Sequence, residues 1–360
     1  MTILVTGGTG AVGAEVIELL AGSLAGARIV AISRKDQEAL PAGVTALRAD
    51  LMDWRPSPSE AKTLFGDVTH IIHMAADIRW NQPVDQAMAA NAETTANLIE
   101  LSRRFATKLR RLVYVSTAFV DSYDHTDKAP KLAFGGGYYN NTYEYSKARG
   151  EGYVAQAQLP FCIVRPSLVI GSEENGQVSR FNGLYQVLRQ IALGLAPAIV
   201  GEPTAVIDIV PVDVVSRAIR DAAFQEKLSG KILMCAGLDK SPELKAVLNI
   251  TVSVLNDFRA RHGVERLDVP PFVPLGTYER LYKPMMKEAM SDSLRRSVTQ
   301  MEAFFPYLNR VTALKARSDA EIYDVPEYEK YYAKCVTAWC ARNAKAALTP
   351  RRSWAARNAN

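Results

Sequence analysis

Short runs of apolar, mostly β-branched residues alternate with helical patterns along the first two thirds of the chain. Some of these runs, such as Thr69–Met74, are almost continuously apolar, as is expected of strands that are buried on both faces. Alternation of strands with helices predicts a parallel sheet covered on both sides by helices. We predict strands at Thr2–Thr6, Arg28–Ser33, Val44–Arg48, Val68–Met74, Arg111–Ser116, Phe161–Arg165, Ala205–Ile209 and Lys231–Cys235. We predict helices at Val12–Ala21, Pro83–Phe105, Tyr143–Gln158 and Pro211–Phe224.

This alternation stops in two places. Residues Asp121–Asn141 are rich in Asp, Lys, Gly and Tyr and are predicted to form a long loop, which in a compact domain is usually functional or mobile. After about Leu238 helical patterns dominate, and they end with an amphipathic stretch over Glu327–Ala347. The pattern therefore indicates a second, smaller and mostly helical region that follows the sheet.

The charge of the chain is concentrated at its end. With 43 Lys and Arg against 38 Asp and Glu, the 360 residues carry a formal charge of +5. Residues 331–360 contain six basic and no acidic residues, so the rest of the chain has a formal charge of −1. This distribution argues against nucleic-acid binding, which needs positive charge along a groove. The hydrophobic content of 48% is that of a globular protein and excludes wholesale disorder.

The sequence also bears on the compartment. No apolar run approaches the roughly 20 residues that cross a bilayer. The strand-like run that begins at Thr2 does not resemble a signal peptide, so a cytoplasmic protein is expected. The four cysteines show no metal-ligand spacing, so we expect no metal site and assign them to the core. They are Cys162, Cys235, Cys335 and Cys340.

A glycine-rich segment, Thr6–Gly13, follows the first predicted strand and opens the first predicted helix. Gly7 would permit a tight turn, Gly10 would let the backbone approach a pyrophosphate, and Gly13 would let the helix pack on the strand. The pyrophosphate would then lie on the free N–H groups at the start of that helix. Because the strand–loop–helix context is met, we prefer dinucleotide binding to an ordinary glycine turn. The predicted contact residues here are Gly7, Thr9, Gly10, Ala11, Val12 and Gly13.

The end of the second strand indicates which dinucleotide is bound. A carboxylate there would hold the ribose 2′-hydroxyl of NAD, whereas a basic residue would hold the 2′-phosphate of NADP. The chain has Arg34 and Lys35 at this point, so NADPH is favoured. Asp36 lies just beyond, so NAD(H) is not excluded, and the alternative for both basic residues is solvated surface charge.

Further cofactor contacts are expected after the next strands. Asp50 could accept the adenine amino group and the Leu51 N–H could bond a ring nitrogen, with a helix N-cap as the alternative for Asp50. Ala75 has a small side chain that would let the cofactor ribose approach. His73 is a lone histidine in an apolar strand, so we interpret it as structural.

Tyr143 and Lys147 are four residues apart and therefore lie on one face of a helix. An ammonium near a phenol stabilises the phenolate, so Lys147 is expected to lower the pKa of Tyr143. The spacing alone is nearly uninformative in a chain with 15 Tyr residues. Its position is informative, because the preceding strand ends in Ser116 and Thr117, at the edge of the sheet where doubly wound folds bind ligands.

In this order, these segments resemble an extended short-chain dehydrogenase/reductase. The resemblance covers roughly residues 1–236 and rests on Thr6–Gly13, Asp50-Leu51, His73–Ala76, Ser116-Thr117, Tyr143 with Lys147, and Arg165–Ser167. It implies a catalytic set of Thr117, Tyr143 and Lys147, with Ser116 as second choice for the hydroxyl, and places Pro166 among the cofactor contacts. The fold it implies is α/β, a Rossmann-type doubly wound parallel sheet with a smaller, mostly helical C-terminal substrate domain.

The resemblance, together with the change of pattern after about Leu238, divides the chain into parts. A dinucleotide-binding domain is expected over residues 1–166 and 205–238, and a substrate domain over residues 167–204 and 239–348. Residues 349–360 would form a basic tail.

A narrower resemblance is to the thioester reductase and fatty acyl-CoA reductase ("male sterility") branch. It rests on Val113–Val120, Asn141–Glu144, Arg165–Gly171, Gly176, Arg180–Tyr185 and Ile207–Asp213. Sugar-nucleotide epimerases usually continue from the Ser/Thr strand into Val-Tyr-Gly. Here Val120-Asp121-Ser122 stands instead, which counts against sugar substrates.

This branch implies an NADPH-dependent reductase that converts an acyl thioester to an aldehyde and could continue to the alcohol. The chain is too short to include adenylation and carrier domains as well, so we expect the acyl group on coenzyme A or on a separate acyl or peptidyl carrier protein. One alternative is a ketone or alcohol oxidoreductase that acts on a free small molecule with the same hydroxyl set. Another is a non-catalytic NADP-binding protein, although such proteins often lose the Tyr or the Lys. A homodimer is possible, because exposed helices in such folds often pair.

The basic C-terminal segment has two interpretations. It could attract the acidic carrier protein or the phosphates of coenzyme A. The alternative is a solvated tail that keeps the protein in solution, and we prefer this simpler interpretation.

Overall fold

A central parallel sheet of eight strands organises the molecule. The computed structural model describes residues 1–34, 40–121, 132–134, 137–285, 298 and 301–350. In chain order, the strands of the sheet are β1 (Thr2–Thr6), β2 (Arg28–Ser33), β3 (Val44–Arg48), β4 (Val68–His73), β5 (Arg111–Val115), β8 (Phe161–Pro166), β12 (Lys231–Cys235) and β14 (Ala320–Ile322). Their order across the sheet is β14-β12-β8-β5-β4-β1-β2-β3, and every pairing between them is parallel.

The strand order reverses between β1 and β4, where the chain first runs outward to β3 and then returns to the other side of β1. All five residues of β1 are buried, because helices cover both faces of the sheet at its centre. Ligands of doubly wound folds bind at the carboxyl ends of the strands at such a switch point. The ends of β1 and β4, at Thr6 and His73, are paired with each other and mark this place.

Helices cover the two faces of the sheet. On one face α1 and α7 pack together over a core that contains Ile3, Val5 and Val215. On the other face α4 and α5 pack over Leu4, Ile71 and Tyr114. The α-helices are α1 (Ala11–Ser23), α2 (Pro58–Phe65), α3 (Val84–Ala87), α4 (Thr94–Phe105), α5 (Thr142–Gln156), α6 (Leu184–Ala192), α7 (Val212–Phe224), α8 (Leu244–Arg261), α9 (Leu275–Thr277), α10 (Phe305–Leu308), α11 (Tyr332–Arg342) and α12 (Ala344–Ala347). Wider π-helical turns at Met88–Glu93 and Tyr278–Tyr282 continue α3 and α9, and 3-10 turns lie at Ala118–Asp121, Glu226–Leu228, Leu238–Lys240 and Tyr328–Lys330.

A second core lies beside the carboxyl edge of the sheet. It packs α6 and α8 against α11, whose Cys335 and Trp339 are buried. Short strand pairs border this region: β9 (Leu168–Ile170) with β11 (Ile209–Pro211), and β10 (Ile199–Val200) with β13 (Phe272–Val273). A third pair, the antiparallel β6 (Leu132–Phe134) and β7 (Gly137–Tyr139), precedes α5.

The predicted fold class, a Rossmann-type doubly wound parallel sheet, is confirmed, but the structure differs from the sequence analysis at three places in the chain. The position predicted for the strand at Ala205–Ile209 was wrong, because the observed strand spans Ile209–Pro211. This strand pairs with β9 and lies outside the main sheet. The region after Leu238, expected to be helical, contributes β14 to the sheet edge. Part of the predicted loop at Asp121–Asn141 forms β6 and β7.

The physical reason for these differences is that the strands concerned are very short. Three residues do not produce a readable apolar pattern, and β14 gains its strand conformation from pairing with β12 rather than from its own sequence. The proposed domain boundaries remain a prediction. In the part of the chain that the structure describes, no helix combines the length and the apolar character that membrane crossing needs.

Candidate functional site

The glycine loop closes tightly against the end of β4. Gly7 has a φ of +74° and a Cβ on it would lie 2.6 Å from the Ala75 N atom. A Cβ on Gly13 would overlap the backbone of Gly7 and Gly8, so only glycine lets the first turn of α1 pack on the loop. The Gly10 N–H donates to the Gly7 carbonyl at 3.0 Å and completes the turn. Sequence and geometry therefore agree on why these glycines are needed.

Helix α1 begins with its N-terminus at this loop. Gly10 is the N-cap and brings no side-chain cap. The N–H groups of Ala11, Val12 and Gly13 are in the first turn, where an α-helix has no internal acceptor for them. These groups and the positive end of the helix dipole point to an anion site, as the sequence analysis expects, and Thr9 is exposed beside it.

His73, at the end of β4, is held by hydroxyl groups on both ring nitrogens. Its Nδ1 lies 2.7 Å from Thr6 Oγ1, and its Nε2 lies 3.0 Å from Thr95 Oγ1. The Thr95 hydroxyl donates to the Asn91 carbonyl at 2.7 Å and so accepts the proton of Nε2. Burial lowers the pKa of His73 to about 3, so the ring is neutral and structural, in line with the interpretation from sequence.

The outer cofactor contacts predicted from sequence lie at the neighbouring strand ends. Arg34 follows β2 and is exposed, and its charge helps to lower the pKa of Asp77, which follows β4. Asp50 does not cap a helix, because its side chain accepts the Met52 N–H at 3.1 Å in a turn. Leu51 is buried. Lys35 lies outside the described residues.

The N-cap of α5 is Asn141, whose side-chain oxygen accepts the Glu144 N–H at 2.9 Å. This cap fixes the first turn, which carries Tyr143, while Lys147 follows one turn later. Gly150 has no side chain because a Cβ there would collide with the Tyr114 hydroxyl. Helix α5 can therefore lie against β5, with the Lys147 ammonium 4.0 Å from the centroid of the Tyr114 ring.

Burial dominates the electrostatics of the Tyr143–Lys147 pair. It lowers the pKa of Lys147 to about 7, and the Glu151 carboxylate acts in the opposite direction. Burial raises the pKa of Tyr143 above its usual range, and the Glu144 charge raises it further. The expected lowering of the Tyr143 pKa by Lys147 is thus not observed. Lys147 lies over the Tyr114 ring, and removal from water is the largest cause of the pKa shift of both Tyr143 and Lys147.

The two hydroxyl candidates that directly follow β5 differ in their surroundings. Thr117 is buried, and its Oγ1 accepts the Phe119 N–H across a long 3.4 Å contact. The Ser116 hydroxyl is also buried and has no hydrogen-bond partner among the described residues. Pro166 ends β8, next to β5 in the sheet. Helix α5 packs on the turn that follows Thr117, so Thr117 and Tyr143 share the carboxyl edge.

A buried ion pair joins helix α5 to strand β8 of the sheet. Glu151 lies one turn beyond Lys147 on α5, and its carboxylate binds Arg165 of β8 through two parallel contacts, at 2.8 Å and 2.5 Å. The Arg165 side chain is 4% exposed and the Glu151 side chain is 10% exposed. Bidentate geometry of this kind fixes the relative position of helix and strand.

Asn91 was missed by the sequence analysis. It lies in the π-helical turn between α3 and α4 and is buried. Its Nδ2 donates to Ser146 Oγ at 2.8 Å, and Ser146 in turn donates to the Tyr143 carbonyl. A π-helical turn inside a helix is frequent at functional sites, but a single sequence does not reveal one.

Comparison with known proteins supports the resemblance seen in the sequence. Residues 44–219 match the family model described as "Male sterility protein". This match covers just under half of the chain and includes Thr117, Tyr143 and Lys147, but not the glycine loop.

Among curated proteins, bovine (Bos taurus) fatty acyl-CoA reductase 2 is 28% identical over 207 residues, which is 48% of this chain and 39% of the bovine protein. The chain thus spans about two fifths of the length of the curated relatives it matches. Among solved structures, the terminal R domain of the myxalamid PKS-NRPS pathway has a TM-score of 0.70 at 20% identity and covers 97% of this chain and 92% of that domain. A thiolation-reductase di-domain of an archaeal non-ribosomal peptide synthetase has a TM-score of 0.63 at 16% identity and covers 96% of this chain and 76% of the di-domain.

Proposed function

We propose that this chain is an NADPH-dependent reductase that converts an acyl thioester, carried on coenzyme A or on a carrier protein, to an aldehyde. The observation that carries this proposal is that the segment matched by the male sterility model holds the Thr117, Tyr143 and Lys147 set, and that fatty acyl-CoA reductases are among the curated relatives of the chain. The likeness to reductase domains of peptide synthetases supports a thioester rather than a free carbonyl compound.

The residues present fit a nicotinamide dinucleotide. Gly7 and Gly13 leave no room for a Cβ, so the loop closes tightly against Ala75 and the start of α1, and the first turn of that helix offers N–H groups without an internal acceptor for the pyrophosphate. The buried Ser116 hydroxyl, without a partner in the described part of the chain, is a polar group at the adjacent strand end that a ligand could satisfy. When bound, the reduced nicotinamide would supply the hydride for the acyl carbon.

The hydroxyl groups act on the carbonyl oxygen of the substrate. As the C–H bond forms, the carbonyl electron pair moves onto oxygen, and Thr117 and Tyr143 donate hydrogen bonds to it, the type of stabilisation that often contributes most to catalysis. The high pKa of Tyr143 keeps its proton available for donation, so this residue serves as the acid. In this proposal Lys147, as a cation, offsets part of the cost that burial imposes on the negative charge left on Tyr143 when its proton moves.

Collapse of the resulting hemithioacetal releases the product. The C–S bond breaks, the thiol leaves with a proton, and the carbonyl re-forms as an aldehyde. Reduction of the aldehyde with a second NADPH would give the alcohol, and no thiol is released in that step.

The proposed reaction is tested by product analysis. The chain is incubated with NADPH and a panel of acyl-CoA and carrier-protein thioesters, and thiol, aldehyde and alcohol are quantified. We expect thiol release in step with NADPH oxidation, because each C–S cleavage requires a preceding hydride transfer. NADPH oxidation without thiol release contradicts the thioester proposal and favours the alternative ketone or alcohol oxidoreductase.

The preference for NADPH is tested at Arg34. Arg34→Ala is expected to raise the KM for NADPH by about 10-fold, equivalent to about 1.4 kcal/mol, because Arg34 stands where a 2′-phosphate would be held. The KM for NADH, which lacks that phosphate, is expected to stay unchanged. Arg104→Ala on the exposed surface of α4 is the control for loss of one positive charge. Equal effects on both cofactors would contradict the assignment of Arg34.

A further inference from the structure

Tyr307 connects the C-terminal region to the start of the catalytic helix. It lies on α10, 163 residues after Glu144, and is 5% exposed. Its hydroxyl donates to Glu144 Oε1 at 2.5 Å and accepts from Asn141 Nδ2 at 2.7 Å. Since Asn141 also caps α5 through the Glu144 N–H, the Tyr307 hydroxyl completes a closed set of bonds around the turn that carries Tyr143.

The ring of Tyr307 reaches the other catalytic segment. It packs edge-on against Phe119, with ring centroids 5.0 Å apart, and against Trp80 at 4.6 Å. Phe119 follows Thr117 by two residues, and its N–H contacts Thr117 Oγ1. One side chain from the C-terminal region therefore touches both segments that hold the proposed catalytic hydroxyls.

The hydroxyl of Tyr307 also stabilises the Glu144 carboxylate. Glu144 is 1% exposed, and its carboxylate accepts the Asn140 N–H at 2.8 Å and the Asn140 Nδ2 at 3.0 Å in addition to Tyr307. A buried carboxylate is stable only when such donors replace water. Burial and the Glu144 charge raise the pKa of Tyr307, so its proton stays on the hydroxyl.

We propose that Tyr307 is a positioning residue, which sets the place of Tyr143 and Thr117 through Glu144, Asn141 and Phe119 without contacting the reacting atoms. This inference rests on the proposed function, which gives Tyr143 and Thr117 their catalytic role. The contacts that Tyr307 makes do not depend on which substrate is bound. It means that the C-terminal region, where the substrate side is expected, directly orients the hydroxyl groups that act on the carbonyl.

The primary test is Tyr307→Phe, which keeps the ring and removes the hydroxyl. Tyr278→Phe is the matched control, because Tyr278 is also buried, donates to a carboxylate (Glu302, 3.0 Å) and packs edge-on against a phenylalanine. We expect Tyr307→Phe to lower kcat by about 10- to 100-fold, with the Kd for NADPH unchanged and a loss of thermal stability similar to that of the control. A kcat equal to that of Tyr278→Phe overturns the proposal.

A second readout does not depend on turnover. NMR of ring-labelled tyrosine, with the Tyr143 signal assigned through Tyr143→Phe, reports the position and pKa of this hydroxyl directly. Within the described ranges, the titratable groups that interact electrostatically with Tyr143 are Glu144 on α5, Tyr114 on β5 and Tyr307 on α10. We expect the Tyr143 signal to shift in Tyr307→Phe and to remain in place in Tyr278→Phe.

These measurements separate the two proposals. Absence of thioester turnover in the wild-type protein contradicts the proposed function, whereas an unmoved Tyr143 signal in Tyr307→Phe overturns the positioning role. If Tyr307→Phe does not fold, Asn141→Ser decides, since a serine oxygen can still accept the Glu144 N–H while the Nδ2 donor to the Tyr307 hydroxyl is lost. In this variant we expect the Tyr143 signal to shift, and an unmoved signal overturns the proposal.

Discussion

Replacing Tyr143 with Phe is expected to lower kcat by about 10²- to 10⁴-fold, the usual contribution of a positioned acid. The hydroxyl has no hydrogen-bond partner among the described residues, and its raised pKa keeps the proton on it, so its removal affects proton donation rather than folding. Steady-state kinetics with a thioester substrate measure the loss, and fluorescence titration with NADPH should give an unchanged Kd.

Tyr145→Phe is the control for Tyr143→Phe. Tyr145 lies on the same helix two residues later and packs against Tyr139 in a tilted arrangement, with ring centroids 5.4 Å apart. It is not among the proposed catalytic residues, and we expect its kcat to be that of the wild type. Turnover by Tyr143→Phe at the wild-type rate would show that the catalytic assignment is wrong for any substrate.

Breaking the buried pair between Glu151 and Arg165 is expected to have the largest effect on stability. Glu151→Ala leaves a buried guanidinium without its bidentate partner, which typically costs about 3–5 kcal/mol in the free energy of unfolding. The matched control is Glu100→Ala, which removes an exposed i,i+4 pair with Arg104 on α4 and is expected to cost less than about 0.5 kcal/mol. Urea denaturation measures both values, and similar losses for the two variants would contradict the importance of burial.

Loss of Glu151 is also expected to change the pH dependence. The Lys147 pKa is lowered to about 7 by burial, and Glu151 is the group that raises it. Because Lys147 acts as a cation, activity should fall as the pH rises through its pKa. In Glu151→Ala this fall should occur at lower pH than in the wild type, a shift that the pH profile of kcat/KM measures. If the alkaline fall in activity occurs at the same pH in both proteins, it arises from a group other than Lys147.

The sequence analysis found the parts of the site that lie close together in the chain. The glycine loop is predictable because strand, loop and helix follow one another within residues 2–23, and each glycine has a local steric reason. Tyr143 and Lys147 are predictable because helical periodicity places them on one face and the preceding strand end supplies Thr117. The main sheet is predictable for the same reason, since long apolar strands show their burial in the sequence.

The rest of the site depends on contacts between distant segments. Nothing near Tyr307 in the sequence indicates that its hydroxyl binds Glu144, and nothing near Asn91 indicates that it binds Ser146, 55 residues later. The direction of the Tyr143 pKa shift also depended on burial, which spacing does not reveal. The sequence thus predicts candidate catalytic groups, an assignment that stays a prediction, and the structure adds which groups contact the segments that carry them.

The eighth strand, β14, has a consequence for how the chain can fold and be divided. β14 pairs with β12 only after residue 322 is available, although β12 ends at Cys235. A growing or truncated polypeptide that stops near residue 238 would therefore present β12 as an unprotected sheet edge, a surface that invites pairing with other chains. By supplying β14, the last third of the sequence covers this edge of β12, so we expect a chain truncated before β14 to aggregate more readily. The part of the chain that carries the glycine loop is therefore best produced together with it.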